Sequence, residues 1–365
     1  MSLPVAPEPF QDHIYKVLPS VSLPLRIWPA VSPTPSTPWL FWTHGGGFLG
    51  GKHFVPNTWI IPAFRSRGYH VISVAYRLGP QAHLVEIMQD VLDAQRWCLA
   101  HLESVLEGHI SLDSYLVGGD SAGGYLALRA GLAFQPRPKV VLCLYGITEP
   151  TDEWYSQPTT YPDGRHNTWP TPVSGRFPQR QIEHELERRD GIVRFVGPWP
   201  YQLNVPLDVL QHAWKTEFVP SENDWLCADV AAHIMAQPML FKVLCGVRHL
   251  PEKEALEEIR RFSPIHLVDE NTAFPTTLFL HGTGDVVVPV EHSYRMAARL
   301  KQLGLVVGEN YPDGEPHVFD MKCEVSSCAL PVETSLIRRH QKPEDDGWDE
   351  WVVPTMDFVD QHMKG

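Results

Sequence analysis

The chain has 365 residues, 43 % of them apolar, and a net charge of −13. That length holds one large domain or two ordinary ones with a sizeable core, and the acidic balance argues against nucleic acid as a partner. The first residues, Met1 to Pro7, lack the basic start and apolar run of a secretion signal. No apolar window is long enough to span a bilayer, so a cytoplasmic protein without a membrane span is expected.

The chain opens on a predicted hairpin, His13–Leu18 against Leu23–Trp28, followed by a proline-rich link from Pro29 to Pro38. Runs that read as buried parallel strands follow at Trp39–Thr43, His70–Ala75, Tyr115–Gly118, Val140–Tyr145, Thr276–Leu280 and Leu305–Val307. Helical patterns lie between them. Leu84, Ile87, Val91, Ala94, Cys98, Leu102 and Val105 make one apolar stripe. Ala122–Ala133, Val290–Leu303 and Trp348–Met363 are further helices, the last bent or delayed by Pro354. Alternating strands and helices imply an α/β fold, with a mostly parallel central sheet flanked by helices.

Residues 149–262 break that rhythm. They begin with Pro, Thr, Gly and aromatic residues and turn helical around Asp224–Val243. We read them as a large inserted cap over the carboxyl edge of the sheet, between core segments 1–148 and 263–365. Ligands in open α/β sheets bind at that edge. Trp154, Trp214 and Trp225 of this stretch, with Phe48 from the core, are the candidate substrate contacts. Cys98 and Cys143 sit in apolar runs and read as buried thiols. The pairing of Cys323 with Cys328 stays open. Six cysteines are too sparse for a disulfide framework, and no CxxC or HExxH pattern implies a metal or other cofactor.

Two motifs carry chemistry. Gly119-Asp120-Ser121-Ala122-Gly123-Gly124 follows an apolar strand and opens a helix, as a serine nucleophile on a sharp turn would. Gly119 and Gly123 flank the serine because side chains would clash there. His44-Gly45-Gly46-Gly47-Phe48, also after a strand, offers backbone N–H groups to a developing oxyanion. A chance G-x-S-x-G arises in such a chain roughly once in ten, a chance H-G-G-G roughly once in a hundred. Both together, in this order, point to acyl chemistry at Ser121, with N–H groups of Gly46, Gly47 and Ala122 as donors.

Serine needs a base, and in this architecture acid and histidine follow the nucleophile in chain order. Asp285 ends the strand-and-turn Thr277–Asp285, and His317 lies in a loop past the next strand. These are the expected acid and base. His281, at the strand end, is the rival base; His44 is expected to buttress its turn.

These motifs, with Tyr76-Arg77-Leu78-Gly79-Pro80 and His317-Val318-Phe319, resemble the hormone-sensitive-lipase-like branch of the α/β-hydrolases. The resemblance spans roughly residues 12–147 and 263–320. It implies the α/β-hydrolase fold and a carboxylic-ester hydrolase with Ser121, Asp285 and His317 as triad. Two departures stand out. The chain reaches its first strand without the N-terminal helical cap of many relatives, and Gly79 replaces a common alanine. The expected activity is a serine carboxylesterase acting on a small-molecule ester, medium-sized and largely apolar. Acyl transfer, thioester cleavage or arylformamide hydrolysis would use the same triad. A non-catalytic binding protein would have lost triad residues that are present here. Monomer and homodimer are both compatible with the sequence.

Overall fold

In a computed structural model, which describes residues 9–51, 53, 59–156, 176–188, 222–322 and 347–363, the apolar runs assemble into an eight-stranded sheet. The elements in chain order begin with β1 (Gln11–Val17), β2 (Ser22–Trp28), β3 (Trp39–Thr43), α1 (Ile60–Ser66) and β4 (His70–Val74). They continue with α2 (Leu84–Val105), β5 (Tyr115–Asp120), α3 (Ala122–Ala133) and β6 (Val140–Leu144). Five helices follow: α4 (Gln179–Glu187), α5 (Glu222–Ala236), α6 (Leu240–Leu244), α7 (Glu252–Arg260) and α8 (Pro264–Leu267). The chain then forms β7 (Thr276–Leu280), α9 (Glu291–Gln302), β8 (Val307–Asn310) and α10 (Val353–Met363).

The strand order is β1-β2-β4-β3-β5-β6-β7-β8. β2 runs antiparallel to β1 and β4; the strands from β4 across to β8 are parallel. Successive side chains of a strand point to opposite faces, so a strand covered on both sides must be apolar throughout. β3 and β6 meet that demand. Trp39, Phe41, Val141 and Cys143 enter one apolar cluster, shared with α2, α3 and α9. Leu40, Trp42, Val140, Leu142 and Leu144 enter a second cluster on the other face, with α1 and α10.

Most predicted elements match the structure, and the differences have local causes. β8 begins at Val307 rather than Leu305, because Leu305 closes the preceding helix. Its N–H donates to Leu300 O at 3.1 Å while Gly304, at φ +75°, donates to Lys301 O, the Schellman pattern of a helix C-terminus. Trp348–Val352 forms a π-helical turn, and the regular helix follows at Val353 with Pro354, which has no N–H to give the preceding turn, at the junction. α1, α4, α7 and α8 were not among the predicted helices. For α7 the pattern was present: Ala255 and Ile259 are one turn apart and buried, behind Pro251 and two first-turn glutamates.

Between β6 and β7 every described element is helical. α4, α5 and α6 add Ile182, Leu186, Val230, Ile234, Phe241 and Leu244 to the cluster that covers α2 and α3. They meet the core at loops leaving the carboxyl ends of strands. Phe241 lies 6.3 Å from the Phe48 ring after β3, and the Trp154 indole donates to Val287 O after β7 at 3.2 Å. Cys98, Cys143 and Cys227 are buried free thiols. Trp214, Cys323 and Cys328 lie outside the described residues. Among the described residues no helix is long and apolar enough to cross a membrane. Nor, among them, does any group of three His, Cys, Asp or Glu side chains stand where it could hold a metal ion.

Candidate active site

β5 runs straight into Ser121, which takes φ +53° and ψ −116°, a strained conformation for a residue with a side chain. What holds it there is the close packing of the turn. A Cβ on Gly123 would stand 2.0 Å from Thr43 O, and one on Gly119 would stand 2.3 Å from Gly123 O. Only glycine lets α3 start so near the end of β3. The Thr43 hydroxyl donates to Gly123 O at 2.9 Å, and Ser121 N–H donates to Leu144 O at 2.9 Å. The strain is thereby fixed from both neighbouring strands. The helix starts at Ala122, so its first N–H groups and positive end face the serine.

The glycine loop is held by the residue before Ser121. Gly45 N–H donates to Asp120 Oδ1 at 2.9 Å. Gly46 and Gly47 then take φ +114° and +62°, carrying the chain through a tight turn closed by Leu49 N–H on Gly46 O. His44 does not face the serine. Its ring stacks on Tyr76 with centroids 4.2 Å apart, its Nδ1 donates to Gly45 O, and the Tyr76 hydroxyl donates to His44 O at 2.6 Å. The Tyr76–Pro80 segment is thus a support for this loop. Arg77 anchors it by donating to buried Asp90 from Nε at 2.7 Å.

Asp285 lies in the turn after β7. Its Oδ1 accepts from Val287 N–H at 2.8 Å and Val288 N–H at 2.9 Å. Its Oδ2 accepts from His317 Nδ1 at 2.6 Å. With that proton on Nδ1, His317 Nε2 is an acceptor, and the Ser121 hydroxyl donates to it at 3.1 Å. Burial works against a charged Asp285, yet the His317 ring and the hydrogen bonds from His281 and His317 outweigh it and hold this carboxyl below the usual range. The three residues come from three strand ends and meet at one edge of the sheet.

The Asp285 turn and the His317 loop are stitched together. Gly284 N–H donates to Glu315 O at 3.0 Å, Thr283 N–H to Pro312 O at 2.9 Å, and Gly314 N–H to the Thr283 hydroxyl at 2.7 Å. A Cβ on Gly282 would meet Glu315 O at 2.2 Å, so this contact also demands glycine. Tyr145 packs edge-on to the His317 ring, with centroids 4.8 Å apart. Its hydroxyl and the Trp59 indole both donate to buried Asp320, each at 2.8 Å.

Sequence reasoning missed Asp120, Tyr145 and Asp320 as supports. Asp120 was inside a quoted motif, but its partner Gly45 is on another strand's loop. Burial, with Asp320 adding, pushes the Asp120 carboxyl up to about 7. The rival base His281 has both nitrogens engaged away from Ser121: Nδ1 with Ser293 Oγ, Nε2 with Asp285 and Val288 O. Of the expected substrate contacts, Phe48 is fully buried between Tyr125 and Phe241. Trp154 is half-buried against the Asp285 turn, and Trp225 is half-buried beneath the Arg176 guanidinium, 4.4 Å from its ring centre.

Comparison with known proteins agrees with this architecture. Residues 40–182 match the family described as α/β hydrolase fold, and residues 227–322 match the prolyl oligopeptidase family. The non-reducing polyketide synthase pkbA of Emericella nidulans is 28 % identical over 323 residues, 80 % of this chain and 12 % of that protein. The chain therefore spans about an eighth of the length of the synthases it matches. An ethyl acetate hydrolase of Pseudomonas putida is 33 % identical over 135 residues, 35 % of this chain and 42 % of that one. Among solved structures, a truncated carbohydrate esterase from gut microbiota superposes with TM-score 0.56 at 14 % identity, covering 99 % of both chains. An arylesterase gives TM-score 0.51 at 18 % identity, over 87 % of this chain and 79 % of that one. With the sheet order, the matched segments and these superpositions in hand, the chain is an α/β-hydrolase-fold protein.

Proposed function

We propose that the protein is a serine hydrolase that cleaves carboxylic esters through an acyl-enzyme on Ser121. One observation carries this reading: a continuous relay runs from the Ser121 hydroxyl through His317 to Asp285, beside two turns rich in N–H groups. His317 Nε2 takes the serine proton as Oγ attacks the carbonyl carbon. Asp285, held ionised, orients the ring and stabilises its cation without accepting the proton. The negative oxygen of the tetrahedral intermediate faces N–H groups of Gly46, Gly47 and Ala122. His317 then gives its proton to the departing alcohol. Water, deprotonated by the same ring, releases the acid in a second round.

Residues 149–262 are the proposed cap. Its contacts with the loops after β3 and β7, through Phe241 and Trp154, support that reading. The half-buried aromatic faces of Trp154 and Trp225 suit an apolar, medium-sized acyl or alcohol group.

The test is hydrolysis of p-nitrophenyl esters of graded chain length, together with fluorophosphonate labelling. Turnover that disappears in Ser121→Ala, with label confined to Ser121, is the expected result. No turnover at any chain length and no label would overturn it.

A second substrate class has its own support. The long match to polyketide synthases, at 28 % identity over 80 % of this chain, favours an acyl thioester as donor to Ser121. A small-thiol thioester of an aromatic acid, cleaved with higher kcat/KM than its oxygen ester, would select that class. Adding a competing alcohol and analysing the products separates hydrolysis from acyl transfer.

A further inference from the structure

His281 is fully buried at the end of β7, and its hydrogen bonds define a task. Nε2 lies 2.9 Å from Val288 O and 3.1 Å from Asp285 Oδ2. Both are acceptors, so Nε2 carries the proton and donates to both. Nδ1 faces the Ser293 hydroxyl on α9 at 2.8 Å. Asp285 Oδ2 thus accepts from two imidazoles at once, His317 at 2.6 Å and His281 at 3.1 Å. Its Oδ1 is filled by two backbone N–H groups.

We propose that His281 is a positioning residue: through its Nε2–H it fixes Asp285 Oδ2 on line with His317 and draws off part of the carboxylate's charge, setting the pH at which Ser121 can be activated. The proposal rests on the triad reading above and deepens it. Without the second donor, Oδ2 presents its full charge to the His317 ring. The ring's cation is then better stabilised and keeps its proton to higher pH. The carboxylate also gains freedom to rotate off line, which lowers kcat. Ser293 holds the far side of the ring, so α9 is part of the same support.

Other ionisable groups surround the pair. Asp120 ends β5 and Asp320 lies beyond His317. Tyr145 follows β6, with its ring against His317. Tyr155 and His292 face Asp285 from the start of the 149–262 stretch and from α9, where Asp152 and Arg295 flank His292. His292 feels His281, but burial lowers its pKa to about 3, below the range assayed, so a moved pH profile reports the lost donor.

The experiment compares His281→Gln with His281→Asn on a p-nitrophenyl ester, reading kcat and KM across the acidic and neutral range. A glutamine amide nitrogen reaches as far as Nε2; an asparagine amide reaches only as far as Nδ1. His281→Gln should keep the native acidic limb. His281→Asn should move that limb up by about half a pH unit and lower kcat roughly tenfold, with KM unchanged. A limb unmoved in His281→Asn overturns the proposal, whatever happens to melting temperature. Should that variant fail to fold, Ser293→Ala carries the test. It frees one side of the ring and should shift the limb in the same direction by less; an unmoved limb there overturns the proposal as well. Ser121→Ala and His317→Gln belong in the same assay. If either keeps its activity, the triad reading has failed; if both are dead and the limb stays put, only the role of His281 has failed.

Discussion

The sheet edge that carries Ser121, Asp285 and His317 and the helices α4 to α6 are built on opposite terms. At the edge, backbone approaches backbone, and glycines at 119, 123 and 282 leave no room for a side chain. Polar bonds there are short and run between strand ends far apart in sequence. By contrast, α4 to α6 dock through side chains, with Phe241 set among Phe48 and Tyr155 and the Cys227 thiol on Leu49 O. On the proposed reading, chemistry that tolerates little displacement sits on the first kind of construction, and recognition, which tolerates more, is left to the second.

That contrast is open to breaking. The largest effect belongs to Ser121→Ala. Turnover should fall by about 10³-fold or more while the melting curve barely moves, because a small side chain fits the strained turn. Phe241→Ala should behave the other way round. Deleting a buried ring costs about 3–5 kcal/mol of stability, read by chemical denaturation, with KM rising more than kcat falls. If kcat collapsed instead, these helices would share in the chemistry and the division would be false.

Gly282→Ala tests the stitched turns. Its Cβ would meet backbone, not a yielding side chain, at 2.2 Å. Forcing a methyl there should cost about 1–3 kcal/mol and shift His317 enough to lower kcat without raising KM.

The smallest effect sharpens the electrostatics. Asp120 has its carboxyl pushed from 3.8 up to about 7. Between those values the unfolded chain has released this proton and the folded one still holds it. The native state therefore loses stability from this group as pH rises through that interval. Asp120→Asn keeps an acceptor for Gly45 N–H but cannot ionise. Its melting temperature relative to the native protein should climb from pH 4 to pH 7 and level off above. A constant difference across that range would place the carboxyl near its ordinary value.

How much of this was legible in sequence follows from the range of the interactions. β3, β5, β6 and β7 are continuous apolar runs, because a strand covered on both faces leaves no position for a polar side chain. Ser121 and Asp285 sit in motifs whose glycines are required by the turns themselves. His317 was reachable through chain order. What stayed hidden depends on coincidence in space. Nothing in the segment around Asp120 reveals that its carboxylate holds Gly45, and nothing near Asp320 names Tyr145 and Trp59 as its donors. His281 looked like a competitor for the base because both histidines flank one aspartate in sequence; the structure gives them the same carboxylate oxygen from different sides. Phe48 looked like a ligand contact because it ends the glycine loop, yet its ring fills the joint with α6.

The Asp120–Gly45 bond has a consequence for how such a protein can change. Ser121 and the glycine loop after β3 are joined through one short segment, by this bond beside the contacts of the Thr43 hydroxyl with Gly118 O and Gly123 O. Their separation is thus set locally, by contacts between the ends of two paired strands. On the proposed reading, changes in the helices between β6 and β7 that suit a new acid or alcohol would leave that spacing untouched.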